Sequence, residues 1–429
     1  MIAYFLDNRD LFMKKILKNK LFMWTYLADT LSNFGDVVYY LALMDYVLQL
    51  PNPTLAISLV TVSETLPYLT MLIMAVCADQ TKNKISRILW TQFFRVSLYV
   101  VMGLMIGFSP ALWIVGVAII INILSDLSGQ YENALYTPIS LRVIPREDRE
   151  ALIAFRQGTS YALQLVFQSL GALLVTLLGY QQLAFLNAGT FFLSFVIMCG
   201  LRPFLQNLLD KNPIQMPEEA SNEKVGQIRK LTGTLRNAVQ TLKESSSLLR
   251  LALICLTGLN AISAAQTPLI LFIMSQNKDF VLGSSAVTLA LLSSIAIIGV
   301  VIGSVLTSTL FKETSLNFLL IASVGVTTLC FLGLFSEHII LVLVFQLMSR
   351  IMNGVMMPKL QTMVFNSIPE HQLATVGAGI DTMVTLGMVL TPTLLSGMIL
   401  ALPVRLLSFL FVLLSTLLLG YTFREAKKE

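Results

Sequence analysis

The chain is a succession of long, continuous apolar runs, and this pattern constrains its fold more than any motif does. A run of about 20 apolar residues crosses the hydrocarbon core of a bilayer as a helix. In lipid each backbone N–H and C=O must find its partner within the spanning structure, so such runs become helices unless they close into a barrel. A barrel needs period-two alternation with a polar lumen, and the runs here do not alternate. Twelve runs are present, at about 21–49, 55–78, 88–108, 111–137, 151–179, 183–204, 248–275, 284–310, 315–335, 338–363, 372–400 and 402–422.

Charge content agrees. Only 12% of the 429 residues are charged and 55% are hydrophobic, where a soluble domain carries about 25% charged residues. So few charges do not cover a water-facing surface of this size. That excludes a soluble enzyme, a nucleic-acid binder and a disordered regulator. Cys77, Cys199, Cys255 and Cys330 lie in apolar runs without metal or disulfide spacing, and read as small core residues.

The breaks between runs are short and turn-like: Leu50-Pro51-Asn52-Pro53, Ser109-Pro110, Gly179-Tyr180-Gln181, Asn277-Lys278-Asp279 and Ser336-Glu337-His338. The one long break, 205–247, carries Asn212-Pro213, Met216-Pro217 and mixed charges. The expected organisation is an all-α polytopic membrane protein with a six-helix bundle over 1–204, a linker over 205–247 and a second six-helix bundle over 248–429. Lys and Arg crowd before the first run, in alternate loops (Lys82, Lys84, Arg87; Arg142, Arg146, Arg149), in the long break and after the last run. Loops on the other side offer Lys278 and, near the last run, Arg405. This asymmetry predicts cytoplasmic termini and a cytoplasmic linker in a multi-pass plasma (inner) membrane protein. The first twenty residues do not read as a secretory signal, since Asp7 and Asp10 lie ahead of Lys14 and Lys15 and no cleavage site follows a short apolar region.

A weak internal repeat supports two related halves. Ile144-Pro145 followed by a charged cluster precedes the fifth run, and Ile368-Pro369-Glu370-His371-Gln372 precedes the eleventh. Ala75-x-x-x-Asp79 ends the second run and Gly303-x-x-x-Thr307 lies near the end of the eighth. Duplicated six-helix halves, with substrate held at the repeat interface, are a transporter architecture.

The loop after the second run reads Ala75-Val76-Cys77-Ala78-Asp79-Gln80-Thr81-Lys82-Asn83-Lys84. It resembles the major facilitator signature Gly-x-x-Ala/Ser-Asp-Arg-x-Gly-Arg-Lys/Arg. Ala78, Asp79 and Lys84 match; Ala75, Gln80, Lys82 and Asn83 depart from it. Ser32-Asn33-Phe34-Gly35-Asp36 with Leu41-Ala42-Leu43, and Val143-Ile144-Pro145-Arg146-Glu147-Asp148 leading to Gly171-Ala172-Leu173, resemble the macrolide-efflux-like branch of drug–proton antiporters. The resemblance implies a monomeric major facilitator fold with alternating access and export driven by protons. It also implies gating by Asp79 and Lys84.

Polar residues within the runs are the candidate site, because a charge at mid-bilayer costs about 2.5–3.5 kcal/mol on insertion scales. Asp29, Asn33, Asp36 and Tyr40 follow steps of four, three and four, which place them on one helical face. Asn122, Asp126, Gln130 and Asn133 form a similar stripe, with Glu132 off it. Asp36 and Asp126 lead as proton carriers, followed by Glu64 and Asp381. Asn33, Gln130 and Gln164 are candidate substrate contacts, and Asp29 serves either role. Arg350 lies near the middle of its run and calls for a carboxylate, water or an anionic substrate. Arg95 and Arg156 are expected to pair with acids of the intracellular gate. Asp45 reads as a solvated residue near the outer end.

The sequence contains no Gly-x-x-x-x-Gly-Lys-Ser/Thr loop and no His-Glu-x-x-His, and His338 and His371 fall in loops. No cofactor, metal or catalytic centre is expected, and the chain does not read as an enzyme. The expected function is secondary transport of a small molecule across the bilayer, by proton-coupled efflux of an amphipathic compound with multidrug resistance as its outcome. The alternative is transport of a polar or anionic metabolite or peptide, with Arg350 as anchor.

Overall fold

The structure, a computed structural model, describes residues 19–107, 111–143, 149–213, 247–307, 310–367 and 370–427. These residues are almost wholly helical, with no strand among them. The first half supplies α1 (Lys20–Leu48), α2 (Pro53–Asp79), α3 (Lys84–Met105), α4 (Leu112–Val143), α5 (Arg149–Leu177) and α6 (Tyr180–Lys211). The second supplies α7 (Ser247–Ala264), α8 (Gln266–Gln276), α9 (Ser285–Thr307), α10 (Leu316–Phe335), α11 (Ile339–Ser367), α12 (Glu370–Ile399) and α13 (Val404–Ala426). Nine segments among the described residues, with α7 and α8 taken as one, are long and apolar enough to cross a membrane. Helix α1, whose apolar run is interrupted by Asp29, Asn33, Asp36 and Asp45, is not in that set.

The run 248–275 folds as two rods rather than one. Pro268 has no N–H to give the Ala264 carbonyl, and the Ala265 N–H turns to the nearer Ile262 carbonyl at 3.1 Å. The chain then restarts as α8. Pro67, Pro138, Pro203, Pro358 and Pro392 stay inside unbroken helices. Helices α4, α6 and α11 also run beyond their apolar segments. At the end of α4, Arg142 donates to the Pro138 carbonyl at 2.8 Å, and to the Asn212 and Pro213 carbonyls after α6 at 2.6 and 2.8 Å. A cation suits these helix C-termini, where carbonyls lack intrahelical partners.

The chain forms two compact units, one of residues 1–50 and 70–219, the other of 51–69 and 220–429. In the first unit α3 packs on α4 and α6, and α1 on α5 and α6. In the second, α10 packs on α11 and α13, and α7 on α12 and α13. The third helix of each half thus meets the fourth and sixth, and the first meets the fifth and sixth. This shared pairing gives the sequence repeat a structural counterpart.

Small residues set the closest crossings. A Cβ on Gly35 would lie 2.1 Å from Thr190 Oγ1 and 2.2 Å from Asn187 Oδ1, so glycine lets α1 approach α6. In the second unit a Cβ on Gly303 would lie 2.2 Å from the Ile351 carbonyl oxygen, and one on Gly354 2.4 Å from that of Val300. Here α9 and α11 touch backbone to backbone, the use membrane helices make of small residues four apart, such as Gly299 and Gly303.

Two local expectations are corrected. Cys255 and Cys330 are buried, but Cys77 and Cys199 are exposed rather than in the core. His371 lies in the first turn of α12 rather than in a loop, because that helix begins at Glu370. Asp45 lies near the end of α1, half-buried, where its Oδ2 accepts from Tyr180 at 2.7 Å and from Gln49 at 3.1 Å.

Candidate functional site

The polar residues of the first unit converge where α1, α3, α4 and α6 meet. Asn19 starts α1, accepting from the Phe22 N–H at 3.0 Å and donating to the Val143 carbonyl at 3.0 Å. The close crossing at Gly35 then carries Asp36 to α3. Arg95 Nη2 donates to Asp36 Oδ2 at 3.1 Å, and its Nε donates to Ser125 Oγ on α4 at 3.0 Å. The guanidinium carbon lies 4.0 Å from the centre of the Phe191 ring on α6, a cation–π contact that favours a cation held away from water. Gly129 on α4 faces the same guanidinium, where a Cβ would stand 3.5 Å from Nη1, in ordinary contact.

One turn further along both helices, aromatic rings close over this pair. Tyr99 stacks on Phe191 with centroids 5.4 Å apart, and meets Tyr39 edge-on at 4.9 Å. Asp126 and Glu132 both lie within electrostatic reach of Arg95. Asp126 makes no hydrogen bond or ion pair among the described residues. Glu132 Oε1 accepts from Gln92 Nε2 at 2.7 Å. Toward the start of α1, Arg156 Nη2 donates to Asp29 Oδ2 at 2.8 Å, an exposed pair that joins α5 to α1.

The structure therefore brings together Asp36, Arg95 and Asp126, and separately Asp29 and Arg156. Asn33 and Gln164 are exposed and Gln130 is half-buried. Lys84 is buried with its ammonium on the Ala78 carbonyl, where it caps the end of α2. Glu64 belongs to the segment of α2 that clusters with the second unit. Arg350 on α11 lies in that unit beside Gly299 and within electrostatic reach of Cys330. It makes no hydrogen bond or ion pair among the described residues. The side chains of Asp79 and Asp381 lie outside the described residues.

Sequence reasoning missed Ser125, Asn187 and Phe191. Asn187 was findable as the one asparagine inside the run 183–204. Its spacing of four from Phe191 puts both on the face of α6 that meets Arg95. Among the described residues no group of three or more His, Cys, Asp and Glu could hold a metal ion.

A repeated set of apolar helices with ion-paired residues inside one bundle defines a polytopic membrane protein of the transporter class. The family described as Major Facilitator Superfamily matches residues 127–392. The chain belongs to that superfamily. Its fold is similar to that of a bacterial homologue of the iron transporter ferroportin in an inward-facing state. The TM-score is 0.66 at 13% identity, over 95% of this chain and 98% of that one. It is similar to the nucleoside transporter NupG, with TM-score 0.65 and 11% identity over 95% and 100% of the two chains. A POT family transporter in complex with 5-aminolevulinic acid gives TM-score 0.63 and 14% identity over 94% of each chain. No curated protein sequence matches the chain.

Proposed function

We propose that this transporter exports an amphipathic small molecule in exchange for protons, by alternating access. The observation that carries the reading is the Asp36–Arg95 ion pair inside the first unit, with Asp126 beside it and unpaired among the described residues. A carboxylate that shares one arginine with a second carboxylate can release it on taking up a proton. That event changes which helices the arginine ties together, which is what coupling requires. Asp36 and Asp126 are the proposed proton carriers, with Glu64 and Asp381 next. Asn33, Gln130 and Gln164 are proposed to meet cargo. Asp29 with Arg156, and Asp79 with Lys84, are proposed to steady the cytoplasmic ends of the helices. The termini are assigned to the cytoplasm and the protein to the plasma membrane, on the Lys and Arg asymmetry. The short segments resembling efflux carriers support export as the direction.

The test compares cells with and without the chain for retention of a panel of amphipathic dyes and antibiotics, together with untargeted extracts. At least one compound is expected to fall in expressing cells and to recover when a protonophore collapses the gradient. Equal retention of every compound would remove the export reading. Loss that persists under the protonophore would remove proton coupling.

A second reading, transport of a polar or anionic metabolite or peptide, is favoured by Arg350, a cation without an ion pair among the described residues. Including dipeptides and organic acids in the same comparison separates the two readings.

A further inference from the structure

We propose that Glu132 and Gln92 form a proton-binding site distinct from the Asp36–Arg95 pair. Its use in transport rests on the proton-coupled reading above; its existence does not. Glu132 projects from α4 toward α3. Its Oε1 accepts from Gln92 Nε2 at 2.7 Å. Its Oε2 has only Thr91 Oγ1 at 3.4 Å. The single hydroxyl hydrogen of Thr91 has a nearer acceptor, the Ile88 carbonyl at 2.7 Å. Oε2 is therefore left without a firm donor. Gln92 is buried, 3% exposed, and its Oε1 has no hydrogen-bond partner.

An ionised carboxylate has only acceptors, so it answers one half of a primary amide and leaves the amide oxygen unanswered. A carboxylic acid answers both halves. Its carbonyl accepts from the amide N–H while its O–H donates to the amide oxygen, giving two parallel hydrogen bonds. The component missing from the Gln92–Glu132 pair is one proton. Hydronium from solvent supplies it. An O–H bond forms at Glu132 Oε2 as the hydronium O–H breaks, and that O–H is the donor the Gln92 oxygen lacks.

The charges acting on Glu132 suit a group that alternates between the two forms. Arg95 from α3 attracts the ionised form, but its guanidinium is engaged by Asp36, Ser125 and Phe191. Asp29 from α1 opposes the ionised form and is itself held by Arg156. Asp126, on α4 itself, competes for Arg95. Helix α6, the third element packed on α4, adds no charge acting on Glu132 among the described residues.

The test is pH-difference infrared spectroscopy of the purified full chain in lipid nanodiscs, which needs no cargo. A carboxylic-acid C=O band is expected to grow as pH falls, to be missing in Glu132→Gln and to persist in Asp36→Asn. In Gln92→Leu it should move to higher frequency, because the acid loses the amide N–H that its carbonyl accepts. An identical set of titrating bands in Glu132→Gln overturns the proposal. If Glu132→Gln does not fold, Gln92→Leu decides: a band at unchanged frequency overturns the proposal equally. A band that behaves as expected in a protein whose transport ignores a pH gradient would leave this site standing and remove the coupling reading instead.

Discussion

Arg95→Leu is expected to abolish gradient-driven transport and to lower stability by about 2–3 kcal/mol. Exposed ion pairs contribute about 0–1 kcal/mol, whereas removing one partner of a buried pair costs about 3–5 kcal/mol. The Arg95 side chain is 9% exposed and that of Asp36 37%, which places the cost between those limits. The two partners are not equivalent. Asp36→Asn leaves Arg95 with Ser125, the Phe191 ring and the nearby charges of Asp126 and Glu132. Arg95→Leu leaves Asp36 without its ion pair and removes the bond to Ser125. Asp36→Asn is therefore expected to fold nearly as well as the unmodified chain and to lose coupling, and Arg95→Leu to lose both. The double variant Asp36→Asn/Arg95→Leu should recover part of the lost stability without recovering transport. Monodispersity after graded heating in detergent measures the stability difference. Equal losses for the two single variants would show that the pair is not arranged as described.

Gly354→Val is expected to prevent accumulation of folded protein. The added Cβ would sit 2.4 Å from the Val300 carbonyl oxygen and 3.1 Å from the Gly303 Cα, both backbone atoms that no rotamer change can move. Overpacking costs about 1–3 kcal/mol where side chains can adjust, so the cost here lies at or beyond the upper end. Gly303→Val should behave alike, with the Ile351 carbonyl oxygen 2.2 Å from its Cβ. Gly397 and Gly420 are also helical glycines, but a Cβ there meets nothing within 4 Å. Alanine at those two sites should be neutral or stabilising by up to about 1 kcal/mol. The yield of monodisperse protein distinguishes these outcomes, and normal yields for Gly354→Val would contradict the close crossing of α9 and α11.

The helices were legible because their cause is local. An apolar run in lipid has few structures open to it, and α1, α3 and α10 fall within a few residues of the runs that predict them. The break at Ala265 was less legible. Pro268 signals it, yet five other prolines stay within continuous helices, so the outcome depends on neighbours that accept or refuse a kink. The stripe Asp29, Asn33, Asp36 was visible from helical spacing alone. Its partners were not. Arg95 is 59 positions from Asp36 and Arg156 is 127 from Asp29, and periodicity carries no information across such separations. Gly35 holds the connecting fact, since the α1–α6 approach it permits decides which side chains can meet. Its place in the Ser32-Asn33-Phe34-Gly35-Asp36 segment marks it out in the sequence, but nothing there says which helix it meets, and at Gly116 or Gly189 a Cβ would meet open space.

The central claim is that protons moving one way drive cargo the other way through carboxylates of the first unit. The direct measurement is uptake, into proteoliposomes with an acid lumen, of the compound that the retention comparison identifies. Protons leaving the lumen should draw the compound in against its own gradient. Asp36→Asn/Asp126→Asn should lower that accumulation at least tenfold while leaving equilibrium binding of the compound within a few-fold. Uptake that proceeds at the same rate with and without the pH gradient, or that the double variant performs as well as the unmodified chain, would contradict the account.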